Sequence, residues 1–141
     1  IDQENYTVTA IEETLQKTNL STWEIGTEIN LERCMLMNGR LDGHIVQGHV
    51  DTVGTCVSIQ ETNGSWRFTF AYQSNDVTVE KGSVTVNGTS LTVVDSKDKS
   101  FSVCIIPYTF EHTNFKHLQI GSVVNLEFDI IGKYVQKLTK K

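Results

Sequence analysis

The sequence predicts an all-β protein: a small six-stranded antiparallel Greek-key barrel, preceded by a partial copy of the same barrel and followed by a short C-terminal helix. Three observations carry that expectation. Short β-branched and aromatic runs alternate with Asn-Gly and other glycine turns, and the chain holds a single proline, which is the pattern of antiparallel strands joined by tight turns. A stretch of sequence returns later without a gap: ten of 27 positions are identical between residues 6–32 and 101–127. Finally, closing a sheet of this size removes the unpaired edges that an open sheet exposes. With 141 residues the chain can bury one good core and part of another.

In order, residues 5–11 (Asn-Tyr-Thr-Val-Thr-Ala-Ile) read as a strand. Glu12 to Trp23 carries Leu15, Leu20 and Trp23 among polar residues and reads as a short helix. Ile25 to Glu32 alternates, with Ile29 and Leu31 on one face, and reads as another strand. These three pieces then recur. Thr14 matches Thr109, Thr18-Asn19 matches Thr113-Asn114, and Gly26 matches Gly121, all at an offset of 95. Such agreement argues for a duplicated domain.

The second copy is preceded by some 60 residues of strand-rich sequence (Leu41 to Lys99) that have no counterpart before the first. The expected organisation is therefore a truncated first barrel at 1–36, a complete barrel at 37–132 and a helix or tail at 133–141. Within the complete copy, His49 to Glu61 reads as a long strand, bent at Gly54. Asn63-Gly64 is a type I′ hairpin signal, and Trp66 to Tyr72 is the returning strand. Gln73 to Glu80 suggests a short helix, and Gly82 to Val86 and Ser90 to Asp95 flank the Asn87-Gly88 turn. Ser96 to Lys99 is a charged turn, and Lys133 to Lys140 is a candidate C-terminal helix.

Composition narrows the function classes. The net charge is −5 and the pI about 5.3, which argues against a phosphate-backbone partner. Trp66, Phe68, Phe70 and Tyr72 alternate without flanking cations, so a single-stranded nucleic-acid platform is a poor fit. No apolar run is long enough to span a bilayer, and no signal-peptide pattern opens the chain. Three well-separated cysteines (Cys34, Cys56, Cys104) suggest neither a disulfide framework nor a zinc knuckle. A reducing cytoplasm is the expected compartment. Asn63-Gly64-Ser65 and Asn87-Gly88-Thr89 then read as turns rather than glycosylation sites. Cys104 reads as a small buried core residue.

The stretch with the most chemistry is Asp42 to Val53, which holds Gly43-His44 and Gly48-His49 ahead of a β-branched run. Glycine beside histidine allows close approach to a side chain of a type that moves protons near neutral pH. Residues five apart face different ways on a strand or a helix, so the pair makes a poor metal site. Two exposed histidines in a hairpin is the plainer alternative. His112 and His117 read as surface residues, and His44 as structural.

The residues Gly43-His44, Gly48-His49, Lys81-Gly82-Ser83-Val84, Asn87-Gly88-Thr89-Ser90-Leu91-Thr92-Val93 and Ile105-Ile106-Pro107, with the repeated Ile-Gly…Asn-Leu-Glu, run in one order along the chain. In that combination the chain resembles the riboflavin synthase alpha-chain family, which is built from two similar six-stranded barrels. The resemblance implies dismutation of two molecules of 6,7-dimethyl-8-ribityllumazine: one donates a four-carbon unit to the other, yielding riboflavin and a ribitylamino-pyrimidinedione. It implies no metal and no organic cofactor, and a homotrimer whose C-terminal helix aids assembly.

It also implies a ligand pocket on Gly48, His49 and Val50, on Lys81, on Ser90, Leu91 and Thr92, and on Ile105, Ile106, Pro107, Tyr108, Thr109 and Phe110, with Asp129 at the rim. In this reading His49 is the proton-transfer or ring-orienting residue. Leu91 and Ile106 supply apolar walls, and hydroxyls serve the ring edge and the ribityl chain. From the first copy, Thr9, Ala10, Ile11, Glu12, Glu13 and Thr14 would belong to the matching pocket. Thr92 and Thr109 also read as ordinary strand threonines, and Lys81 as a solvated turn. Pro107-Tyr108-Thr109 stands where the first copy has Glu12-Glu13-Thr14, so no carboxylate role is implied there. The family's productive site joins the first barrel of one subunit to the second of another. A chain with only part of the first barrel is thus expected to be capable of binding lumazine while lacking half of that site. A non-catalytic lumazine- or flavin-binding protein is the alternative.

Overall fold

The computed structural model describes residues 5–32, 36 and 38–139. Six strands, β1 (Thr52–Thr62), β2 (Ser65–Tyr72), β3 (Ser83–Val86), β4 (Thr89–Lys97), β5 (Ser100–Ile105) and β6 (Val123–Phe128), close into one antiparallel barrel in the order β1-β2-β5-β4-β3-β6. The two Asn-Gly corners form as the sequence predicts. Asn63 and Asn87 adopt positive φ (50° and 47°) ahead of Gly64 and Gly88, the backbone of a type I′ turn. β2 pairs with β1 on one edge and with β5 rather than β3 on the other, and β3 pairs with β6, which then closes on β1.

Alternation along each strand explains the core. Phe68, Phe70, Val84, Val86, Val93, Phe101, Val103, Ile105, Val124, Leu126 and Phe128 point inward and are almost wholly buried, as expected for period-two side chains on a closed sheet. One further residue plugs the barrel. Phe115, fully buried, packs edge-on against Phe68 with ring centroids 5.2 Å apart. It comes from a 3-10 turn at Asn114–His117 that follows helix α2 (Pro107–His112). At the same end Trp66 stacks on Phe110 at 3.9 Å. Helix α3 (Ile130–Thr139) leaves β6 and is tied back where Lys133 Nζ donates to Asp51 at 2.7 Å.

Ahead of the barrel, residues 5–32 form helix α1 (Glu12–Lys17) and a 3-10 turn (Asn19–Thr22) with no strand. The strands expected at 5–11 and 25–32 are therefore absent among the described residues, because a strand persists only where a neighbour takes up its N–H and C=O groups. Gln73 to Glu80 forms no helix, and Ser96–Lys97 extend β4 instead of turning. β1 begins at Thr52 rather than His49, and its irregularity lies between Cys56 and Ser58 rather than at Gly54. Cys104 is exposed, whereas Cys56 is buried; on β5 the residues at 101, 103 and 105 face inward, which turns 104 out. Cys34 lies outside the described residues.

The matching stretches adopt the same local shape around their helical turns. Thr18 and Thr113 each bond the carbonyl four residues back at 2.6 Å, and each hydroxyl accepts the N–H two residues on. Gly26 and Gly121 share a positive φ (93° and 96°). They also grip each other reciprocally. Asn19 N–H donates to Asn125 Oδ1 at 2.7 Å, while Asn114 N–H donates to Asn30 Oδ1 at 2.8 Å. Asn19 Nδ2 donates to the Val123 carbonyl and Asn114 Nδ2 to that of Glu28. Each bond in one direction has a partner 95 positions away in the other.

Candidate functional site

The outer face of β6, β3 and β4 is where polar side chains gather. Residues between the inward ones on these strands point away from the core, and register aligns Glu127 with Thr85 and Thr85 with Ser90. Ser83 pairs with Thr92 one row along. Although they face outward, Thr85 and Glu127 are only 2% and 5% exposed. A strap running from Gly43 to Val50 lies over them.

Two anchors hold the strap. The first is His44, whose ring bridges two hydroxyls on neighbouring strands: Nδ1 lies 2.7 Å from Ser90 Oγ, and Nε2 3.2 Å from Thr85 Oγ1. Burial pushes the His44 pKa below its ordinary value, against the pull of the Asp129 and Glu127 carboxylates. Gly43 permits this approach, since a Cβ there would come within 2.6 Å of Ser90 Oγ. The structural role expected of His44 is thus given a specific form: it orients a hydroxyl that belongs to the expected pocket.

The second anchor is the Glu127 carboxylate. Gln47 N–H donates to Oε1 at 2.7 Å, and Gly48 and His49 N–H donate to Oε2 at 3.0 and 3.1 Å. Consecutive N–H groups converge on one anion only where the backbone turns through the left-handed region, and Gly48 sits there with φ of 75°. Just beyond, the Asp51 carboxylate accepts Phe128 N–H at 2.8 Å together with Lys133. His49, between the two carboxylate anchors, is exposed at the rim.

Ser90, Leu91 and Thr92 have a second notable neighbour. The β4–β5 ladder ends at Val93↔Val103, yet β2 keeps β5 paired through Ile105. Residues 90–92 and 105–106 consequently lie past the last rung, on either side of a gap between two strands. Main-chain edges in such a gap suit a flat heterocycle that carries its own donors and acceptors. Lys81, exposed and at φ 63°, closes the start of β3 by donating its N–H to Val93 O at 2.8 Å.

The remaining expected residues distribute as follows. Ile106 is 59% and Tyr108 68% exposed, and Pro107 opens α2. The Ile105 side chain is in the core, and Phe110, partly buried, packs on Trp66. Thr109 is half-buried and its carbonyl accepts Thr113 Oγ1. Asp129 follows β6, and its carboxylate caps Ile131 N–H. Thr9 to Thr14 lie at and before α1, with no hydrogen bond to 48–50 or 90–92 among the described residues.

A cleft of about 920 Å³ is bordered by Asn30, Arg40, His44, Gly48, Ser90 and Asn114, among others. It takes in Gly48 and Ser90, whereas His49, Thr92 and Thr109 lie outside it. Among the described residues no cluster of side chains is arranged to hold a metal ion, and no helix is long and apolar enough to cross a membrane.

Fold and site together define a small closed barrel with an anchored histidine strap beside an unzipped strand pair, a class suited to binding a small flat ligand. Comparison with known proteins makes this specific. The family model described as lumazine binding domain matches residues 1–34 and 47–129. The chain belongs to the lumazine-binding riboflavin synthase family. It is 44% identical over 138 residues to the riboflavin synthase of Actinobacillus pleuropneumoniae, covering 96% of this chain and 64% of that protein. To the riboflavin synthase of Schizosaccharomyces pombe it is 39% identical, covering 99% and 68%. The chain thus spans just under two thirds of the Actinobacillus relative. Its fold is similar to that of LumP complexed with 6,7-dimethyl-8-(1'-D-ribityl) lumazine, with TM-score 0.74, 22% identity and coverage of 84% and 64% of the two chains. LumP complexed with riboflavin gives TM-score 0.72 at 23% identity, with coverage of 83% and 65%.

Neither Glu127 nor the bridging geometry of His44 was singled out from sequence. A signal for Glu127 was present: it is the closing residue of the repeated Asn-Leu-Glu, at 30–32 and 125–127.

Proposed function

We propose that this chain is the lumazine-binding part of a riboflavin synthase, in which two 6,7-dimethyl-8-ribityllumazine molecules dismutate to riboflavin and 5-amino-6-ribitylamino-pyrimidinedione. The observation that carries this reading is the 44% identity to a riboflavin synthase across 96% of the chain. The site chemistry supports it. The C7 methyl of lumazine is acidic because its carbanion delocalises into the ring, so the protein's task is to stack two rings and move a proton. Positioning of this kind supplies effective molarities of about 10⁵ M or more, and general acid–base help a further 10²–10⁴-fold, roughly.

In this reading the pocket comprises Gly48 to Val50, Lys81, Ser90 to Thr92, Ile105 to Phe110 and Asp129. His49 is the proton-handling group, and the gap beyond Val93↔Val103 takes the ring edge. Thr9 to Thr14 belong to the matching pocket of a first, partial barrel. The reciprocal bonds at a constant offset of 95 support the duplication, with units at 1–36, 37–132 and 133–141. Exposed Ile131, Tyr134, Val135 and Leu138 on α3 support a homotrimer assembled through that helix. The cytoplasm, where a riboflavin precursor would be met, is the proposed location.

The test is a titration with 6,7-dimethyl-8-ribityllumazine, followed by ligand fluorescence and by riboflavin absorbance. Saturable quenching or shift of the ligand signal is expected. Riboflavin formed from lumazine alone identifies the synthase reaction, and saturable binding without riboflavin is the outcome for a chain that holds only one of the two pockets. No binding at millimolar ligand ends the proposal.

A further inference from the structure

We propose that Glu127 is a positioning residue of the site: its buried carboxylate sets the course of the Gln47–His49 strap and thereby places the His49 imidazole at the ring. The inference rests on the lumazine reading above.

Glu127 is unusual for an acidic residue. It is 5% exposed, yet no lysine or arginine pairs with it among the described residues. A buried anion without a cation is costly unless hydrogen bonds satisfy its oxygens. Here Gln47, Gly48 and His49 supply those bonds, all three through main-chain N–H groups. The dependence runs both ways. Without that acceptor, three successive N–H groups would lose their shared partner, and the left-handed turn that Gly48 permits would lose the bonds that select it. Bonds to a charged acceptor are roughly twice as strong as neutral ones, so the carboxylate fixes the turn more firmly than a carbonyl would.

The arrangement also sets direction. Glu127 grips the strap immediately before His49 while Asp51 grips it immediately after, through Phe128 N–H and Lys133. The histidine is therefore pinned on both sides to the end of β6, on the same sheet face as Ser90 and Thr92. Among the described residues no hydrogen bond holds the imidazole itself, so its place depends on the backbone. Glu32, the counterpart of Glu127 at an offset of 95, is exposed and serves as an internal control.

The experiment compares wild type with Glu127→Gln, Glu127→Asp and Glu32→Gln, using the whole chain. Amide hydrogen exchange and the His49 ring NMR shifts are read without ligand, and lumazine affinity is read by titration. Glutamine keeps the shape but turns one acceptor into a donor facing N–H groups.

The expected result is at least tenfold faster exchange at Gln47 to His49 with β-ladder protection retained, a moved His49 signal, and lumazine affinity about ten- to a hundredfold weaker. Glu127→Asp should recover part of both effects, and Glu32→Gln should change neither. Unchanged affinity in Glu127→Gln, with wild type binding normally, overturns the positioning role and leaves the lumazine reading intact. Wild type that fails to bind overturns that reading instead, and the positioning role with it. If Glu127→Gln does not fold, Glu127→Asp decides by the same two measurements.

Discussion

At the scale of single residues, His49 and His44 have different tasks although each follows a glycine. His49 is exposed and pinned only through its backbone. His49→Ala should leave the thermal midpoint within a degree or two while weakening lumazine binding, and should slow turnover in an assembled enzyme by roughly 10²-fold or more. Calorimetry and steady-state assays on the same samples check both. His44 is half-buried and bridges Ser90 to Thr85, so its effect should appear in stability. Its pKa is lowered by burial. Well above pH 6.5, the ordinary imidazole value, the ring is neutral in folded and unfolded chains alike and costs nothing. As pH falls below that, the unfolded chain takes up a proton first, so stability declines until the folded pKa is passed. His44→Gln should flatten this decline, as measured by urea midpoints at about pH 7.5 and about pH 5.5. The positions of these histidines were legible in sequence. Their tasks were not, because the groups that define them, Glu127, Thr85 and Ser90, come from strands 40 to 80 residues away.

At the scale of elements, turn chemistry was the most legible part. Asn63-Gly64 and Asn87-Gly88 demand positive φ from local sequence alone, and both hairpins form. The alternating stretches at 5–11 and 25–32 misled because alternation describes a segment, whereas strand formation requires a neighbour with free N–H and C=O groups. What those stretches do retain is the asparagine clasp. Asn30 bonds Asn87 O, Asn114 N–H and Asn114 Oδ1 from one side chain. Asn30→Ala should therefore release residues 5–32 and leave the barrel folded. Limited proteolysis should then cut before residue 36 at a rate at least tenfold above wild type, with the 52–128 fragment persisting. Equal cleavage rates would show that the clasp contributes little.

For the molecule as a whole, the barrel was readable in outline. Strand count followed from turns, and closure followed from the cost of free edges. The order β1-β2-β5-β4-β3-β6 was not readable, since pairing between strands distant in sequence depends on which faces fit together. Phe115 exposes that dependence. It enters from a 3-10 turn yet seals the core against Phe68 and Phe70. Phe115→Ala should lower unfolding free energy by about 3–5 kcal/mol, measured by denaturant titration, and should loosen the Trp66–Phe110 stack at the same end.

The crossed asparagine bonds have one more implication. Each half recognises the other mainly through peptide groups, which every sequence possesses, so the surrounding side chains are free to drift while the amide carriers are not. Grafting the later stretch, 101–127, over the earlier one, 6–32, would preserve every contact of that handshake. A hybrid chain of this kind is thus expected to dock its two identical stretches as the natural chain docks its two similar ones, a self-compatibility that calls for no new interface.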